Sequence, residues 1–130
     1  MKKLSKDFLA YGGKTFTIEW YYDSQGYSQP KEYYNKLPKA QQNKLMQLFR
    51  MLGDAGKIFN QEKFRNEGDH IYAFKPQPDR FLCFFCIGGK IIVTNAFVKK
   101  QDKLPTGEKA KALNSRSDYV KRVLGKDYYD

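Results

Sequence analysis

The sequence reads as an α+β domain in which helices cover a small antiparallel sheet. Three features carry that reading. Between His70 and Lys100 lie three runs rich in aromatic, β-branched and sulfur-bearing residues: Ile71–Lys75, Arg80–Ile87 and Lys90–Val98. Such residues suit a pleated, half-buried surface. The runs are parted by Pro76-Gln-Pro-Asp79, whose prolines cannot donate to a ladder, and by Gly88-Gly89, which can take the positive φ of a tight hairpin turn. Residues 14–22 alternate, with Phe16, Ile18, Trp20 and Tyr22 on one face and Thr15, Thr17, Glu19 and Tyr21 on the other, as a further half-buried strand would. Leu45, Leu48, Phe49 and Leu52 recur at i, i+3, i+4 and i+7, the apolar stripe of a helix that needs such a sheet to lie on.

In chain order, a lysine-rich leader of residues 1–13 ends at Gly12-Gly13 and shows no pattern. The strand at 14–22 runs into the turn Asp23-Ser-Gln-Gly26. Ser28 caps a short helix through Leu37, with Pro30 in the first turn, where its missing N–H does no harm. Pro38 restarts a helix to about Leu52, with Gly53 as the expected stop. Residues 54–69 are polar and read as loop, and the three-strand meander follows. Pro105-Thr-Gly-Glu108 then opens a C-terminal helix with an acidic residue in its first turn, and Ala110, Leu113, Ser117, Val120 and Leu124 are its expected inner stripe. Residues 14–125 are thus expected to form a single domain, followed by a short tail at 126–130 without strong pattern.

Composition narrows the partners. With 130 residues, 41% of them apolar, and ten Tyr and ten Phe, the chain can build one core and is not a disordered segment. Its formal net charge of +10 calls for a polyanionic or acidic partner. Between Lys99 and Lys126 nine Lys or Arg face three acids, and this run adjoins Lys75 and Arg80 across the expected sheet. Cys83 and Cys86 lie three apart in one strand and so point to opposite faces, which disfavours a disulfide between them. Two cysteines and one histidine make a poor zinc site, and the expectation is neither metal nor cofactor. No run of about 18 apolar residues occurs, and the basic start Met1-Lys-Lys-Leu-Ser-Lys6 meets Asp7 rather than an apolar stretch. A cytoplasmic protein with reduced thiols is the expectation.

The order of these features resembles the RelE/ParE superfamily, and within it the phage-derived, HigB-like toxins of type II toxin–antitoxin systems. The resemblance rests on Tyr21-Tyr-Asp-Ser-Gln-Gly26, the helix pair, the Ile71–Lys75 strand, Arg80 before an apolar strand, and Asn95-Ala-Phe-Val-Lys-Lys100 followed by Pro105 and Glu108. It spans roughly residues 15–124. It implies a RelE-like fold, a metal-independent endoribonuclease that cuts mRNA on the ribosome and blocks translation, and a cognate antitoxin, expected to be of helix-turn-helix type. Lys75 stands where the family pattern has arginine, which keeps the charge but lacks the two-pronged fork.

Cleaving RNA without a metal requires a group to take the ribose 2′-hydroxyl proton, a group to protonate the leaving 5′-oxygen, and cations around the phosphate. Arg80 matches the family's arginine and is the first candidate for charge stabilisation; at a strand start beside a Pro-rich turn, it is expected to stay partly solvated. Lys75 and Lys100 are further catalytic candidates, with His70 as the residue whose ordinary pKa suits neutral-pH proton transfer. Lys63, Lys99, Lys103, Arg116 and Tyr72 are candidates for RNA or ribosome contact, the lysine at 63 by its match to the family and the tyrosine by stacking on a base. If the last strand continues, Lys99 and Lys100 face opposite ways and only one enters a groove. Two other functions fit the same sequence: a ParE-like gyrase-inhibiting toxin, and a basic RNA-binding module without catalysis.

Overall fold

The computed structural model describes residues 6–101 and 103–129, so Met1–Ser5 of the leader, Asp102 and the terminal Asp130 lie outside the described residues. The elements run β1 (Leu9–Gly12), β2 (Thr17–Trp20), α1 (Gln29–Asn35), α2 (Lys39–Ala55), β3 (Phe64–Asn66), β4 (Tyr72–Phe74), β5 (Asp79–Cys86), β6 (Lys90–Val98) and α3 (Thr106–Leu124). They form an α+β fold with a six-stranded sheet in the order β1-β2-β6-β5-β4-β3. The β4–β5–β6 meander is antiparallel as expected, whereas the N-terminal strand β2 joins β6 in parallel. Two strands were not expected. β1, in the leader, pairs antiparallel with β2, and β3, in the stretch read as loop, pairs antiparallel with β4. At four and three residues they are too short for alternation to show.

Each face of the sheet has its own core. Ile18, Trp20, Phe74, Phe81 and Val93 meet the α2 stripe of Leu45, Leu48, Phe49 and Leu52. On the opposite face Tyr21, Ile71, Leu82, Phe84 and Ile92 meet Ala112 and Tyr119 of α3, and Tyr128 of the tail. Cys83 and Cys86 fall on these opposite faces, both free, and burial holds both thiols above the ordinary cysteine range. The expected inner stripe of α3 needs correction. Ala112 and Tyr119 are buried, but Ala110, Ser117, Val120 and Leu124 are exposed, because the helix turns a different face to the sheet. A weakly amphipathic helix offers two competing stripes that share Leu113, and only packing selects one.

Local chemistry explains the joints. Lys31 N–H donates to the Ser28 cap, and Pro30 sits in the first turn of α1. α2 passes through Gly53 and stops at Gly56, whose φ of 84° is left-handed. Gly53 serves a different purpose: its carbonyl accepts from the N–H groups of Thr15 and Phe16, and a Cβ there would come within 2.8 Å of the Tyr11 ring. Where β2 ends, the Gln29 side chain continues the ladder, giving and taking 2.8 Å hydrogen bonds with the Ala96 backbone. A bulge in β6 leaves Thr94 between the partners of Leu82 and Cys83. The extra residue turns Asn95 towards α3, where its amide donates to both the carbonyl and the carboxylate of Glu108, each at 3.1 Å.

Candidate functional site

At the end of β6 the chain spends residues 99–105 crossing the sheet before α3 begins, and this leaves one corner of the α3 face open. The opening is a cleft of about 220 Å³. Its floor comes from Ala73 and Lys75 of β4 and its edge, Arg80 of β5 and Phe97 of β6. Arg80 pairs with Phe97 in register, and alternation puts Lys75, Ala73, Arg80 and Leu82 on this one face. One wall is the crossing segment with Lys99, Lys100, Gln101, Lys103, Leu104 and Pro105; the other is Arg65 and Glu67 from β3 and the turn after it. Six cationic side chains therefore line the cleft beside one carboxylate among the described residues.

Arg80 is not the partly solvated residue expected: it is only 6% exposed. Leu104 and Pro105 line the cleft with it, and its Nη1 donates to the Asp79 carbonyl at 3.0 Å. The Asp79 carboxylate itself lies on the other face of the sheet, accepting from the Tyr33 hydroxyl at 2.6 Å and the Gln41 amide at 3.0 Å. Burial draws the Arg80 pKa below its ordinary value, though a guanidinium remains charged at neutral pH. Lys75 donates to the Gln61 carbonyl at 3.1 Å. Burial, with the charges of Arg80 and Arg65 nearby, holds its ammonium below the ordinary lysine range. Lys99 and Lys100 both line the cleft, because β6 ends at Val98 and strand alternation no longer applies.

The other sequence candidates lie elsewhere. Lys63 lines a neighbouring groove with Lys44 and Gln77, joined to the cleft only through Lys75. Tyr72 stacks on Phe64 on the α2 face, with ring centroids 5.4 Å apart. His70 is exposed in the β3–β4 turn with φ of 62° and does not line the cleft. Arg116 also stays outside it: its Nη1 donates to the Asp69 carbonyl at 2.6 Å. The basic run 99–126 is consequently not one groove. Lys109 pairs with Asp69 at 2.8 Å, Lys111 with Glu108, and Arg122 with Asp118, so much of the positive charge of α3 holds the fold together. Arg65 and Glu67 are the charged residues of the cleft that the sequence did not single out. Their one signal was Phe64, an aromatic residue in an otherwise polar run from Asn60 to Asp69.

The family model described as "Phage derived protein Gp49-like (DUF891)" matches residues 32–117, well over half of the chain and every residue that lines the cleft. The chain belongs to the Gp49-like family. That family is one of the RelE-type toxin families of type II systems, and the six-stranded sheet with three helices agrees with a RelE-like fold. A comparison with curated proteins finds no match. For this Gp49-like protein no helix among the described residues is long and apolar enough to cross a membrane.

Proposed function

We propose that this Gp49-like protein is the toxin of a type II toxin–antitoxin pair, of the HigB-like branch, and that its cationic cleft cuts mRNA on the ribosome. The observation that carries this reading is the cleft itself: a buried arginine, a lysine with a lowered pKa and three further lysines on one small concave surface. Arg80 is placed to stabilise the extra negative charge on a phosphate under attack, with Lys99, Lys100 and Lys103 holding flanking phosphates. Lys75 suits the proton donor to the leaving 5′-oxygen, since a lowered pKa makes an ammonium a better acid at neutral pH. A cognate antitoxin is the partner that would silence it.

An isolated site with so little ordinary acid–base chemistry gains from having its substrate held in line, which alone supplies several kcal/mol of the barrier. Cleavage is therefore expected to require ribosomes. The test is induced expression with 5′-end mapping of cellular mRNAs, alongside purified protein on RNA with and without ribosomes. New mRNA ends and ribosome-stimulated cutting support the reading. DNA damage and filamentation without new ends would favour a gyrase poison instead, and equal cutting of free RNA would remove the ribosome.

Association with RNA should weaken as salt rises, by about 0.7 in the slope of log affinity against log salt for each phosphate neutralised on a single strand. Replacing Lys99, Lys100 and Lys103 together by Gln should lower that slope by about 2. Replacing Lys109, Lys111 and Lys121 of α3 should leave it nearly unchanged. The reverse result would place the RNA along the helix.

A further inference from the structure

We infer that Glu67 is the general base of the cleft, the group that takes the proton from the ribose 2′-hydroxyl as that oxygen attacks the adjacent phosphate. The inference rests on the nuclease reading above. A base must be deprotonated at rest and must stand within the site. Among the described lining residues the other ionisable groups are ammonium or guanidinium, and Glu67 is the one carboxylate. Its side chain is 16% exposed and lines the cleft. Arg65 Nε lies 3.6 Å from Oε1, a loose pairing that leaves the carboxylate able to accept a further hydrogen bond.

The turn that carries Glu67 is braced more heavily than a surface turn requires. Glu67 N–H donates to the Ile71 carbonyl at 2.7 Å and Gly68 N–H to Asn66 Oδ1 at 2.8 Å. Gly68, Asp69 and His70 then take φ values of 92°, 54° and 62°, three left-handed residues in succession, of which only the glycine does so without strain. Two cations of α3 hold the strained segment down: Lys109 on the Asp69 carboxylate and Arg116 on the Asp69 carbonyl. The helix thus fixes the turn, and the turn presents Glu67 to Lys75 and Arg80. That placement explains why His70 and Arg116 lie beside the cleft without entering it.

The chemistry balances without any further reagent. The 2′-oxygen forms a bond to phosphorus and its proton passes to the Glu67 carboxylate. The bond from phosphorus to the 5′-oxygen breaks, and that oxygen takes a proton from the Lys75 ammonium. The products are a 2′,3′-cyclic phosphate and a 5′-hydroxyl, and exchange with water restores both side chains.

A single-turnover assay on ribosomes, at saturating protein, separates the two proton transfers. The probes are an mRNA with an ordinary scissile phosphate and one in which sulfur replaces the bridging 5′-oxygen. Sulfur leaves without protonation, so it rescues a missing acid and not a missing base. Glu67→Gln is expected to slow both substrates alike, by about 10²- to 10⁴-fold. Lys75→Ala should slow the oxygen substrate by a similar factor and recover on the sulfur one. Arg65→Gln should cost less than tenfold on either. Thermal melts of the same proteins should show Glu67→Gln as stable as wild type, and Glu67→Asp, which keeps the carboxylate, should retain partial rate.

Three results would overturn the assignment: Glu67→Gln cutting within threefold of wild type, its loss recovering on the sulfur substrate, or an equal loss in Arg65→Gln. The last would mean that Glu67 only positions the arginine. In each case wild type still cuts, so the nuclease reading survives. A wild-type protein that cuts neither substrate on ribosomes would instead end both.

Discussion

Arg80→Met is expected to abolish mRNA cleavage while leaving the protein at least as stable as wild type. The guanidinium is buried, with Lys75 nearby and Lys99 and Lys100 lining the same cleft. Burial works against the Arg80 charge, and an apolar residue of similar volume relieves that cost. Replacing buried charges by well-packed apolar side chains is often neutral or stabilising by about 1–4 kcal/mol. The same change removes the group placed against the phosphate in the transition state. By analogy with losing one oxyanion donor this costs about 2.7–4 kcal/mol, a hundredfold or more in rate. Arg80→Ala should lose as much activity but melt lower than Arg80→Met, because it also empties the space that the side chain fills. Arg80→Lys should recover only part, since one ammonium cannot make a bidentate contact. Single-turnover cleavage and thermal melts on the same three variants decide the matter. An Arg80→Met protein that cuts at near wild-type rate takes Arg80 out of the chemistry. One that cuts poorly and also melts many degrees lower shows a strut for the Pro78–Asp79 turn.

Tyr128→Ala is expected to be the most destabilising single substitution in the tail, by about 3–5 kcal/mol. For a domain of this size that corresponds to a melting temperature lower by roughly 10–20 °C. Tyr128 is 1% exposed, with its ring 4.6 Å from Tyr119, 5.3 Å from Phe8 and 4.7 Å from the Arg122 guanidinium. Its hydroxyl accepts the Tyr22 N–H at 3.0 Å, just where β2 has ended. Tyr128→Phe keeps the ring but strands that N–H, at a cost of about 1–3 kcal/mol. The next residue continues the latch: Tyr129 donates to Glu19 Oε1 at 2.7 Å, with Lys90 3.4 Å from Oε2. Calorimetry or a melt followed by circular dichroism tests this. A Tyr128→Ala protein that melts within two or three degrees of wild type would show the tail to be an ornament on the sheet.

The same tail and leader mark where local patterns run out. Residues 6–12 and 127–129 carried no periodicity, yet Phe8 packs on Tyr22, Tyr128 and Tyr129, and β1 forms an edge of the sheet. Phe8-Leu-Ala-Tyr11 and Tyr128-Tyr129 are runs too short to show a period, and their packing on each other joins segments more than a hundred residues apart. The α3 stripe failed for a related reason, since two weak helical faces differ little in apolar content and the sheet chose between them.

The cleft divides in the same way. Lys75, Arg80, Lys99 and Lys100 were legible because they sit at the ends of strand-like runs, and in an antiparallel meander the end of the first strand, the start of the second and the end of the third meet at one end of the sheet. Arg65 and Glu67 were not, since a three-residue strand has too few positions to declare itself and is held by pairing to β4. His70 shows the converse: its intrinsic chemistry recommended it, but a run of left-handed residues turns it to solvent. The α+β arrangement, the α2 stripe, the Gly88-Gly89 hairpin and the cationic strand ends followed from residue chemistry at short range, where period and turn preference act directly. The parallel join of β2 to β6, the burial of Arg80, the face of α3 and the entry of Glu67 into the cleft were set by contacts between distant segments, whose energies no local pattern records.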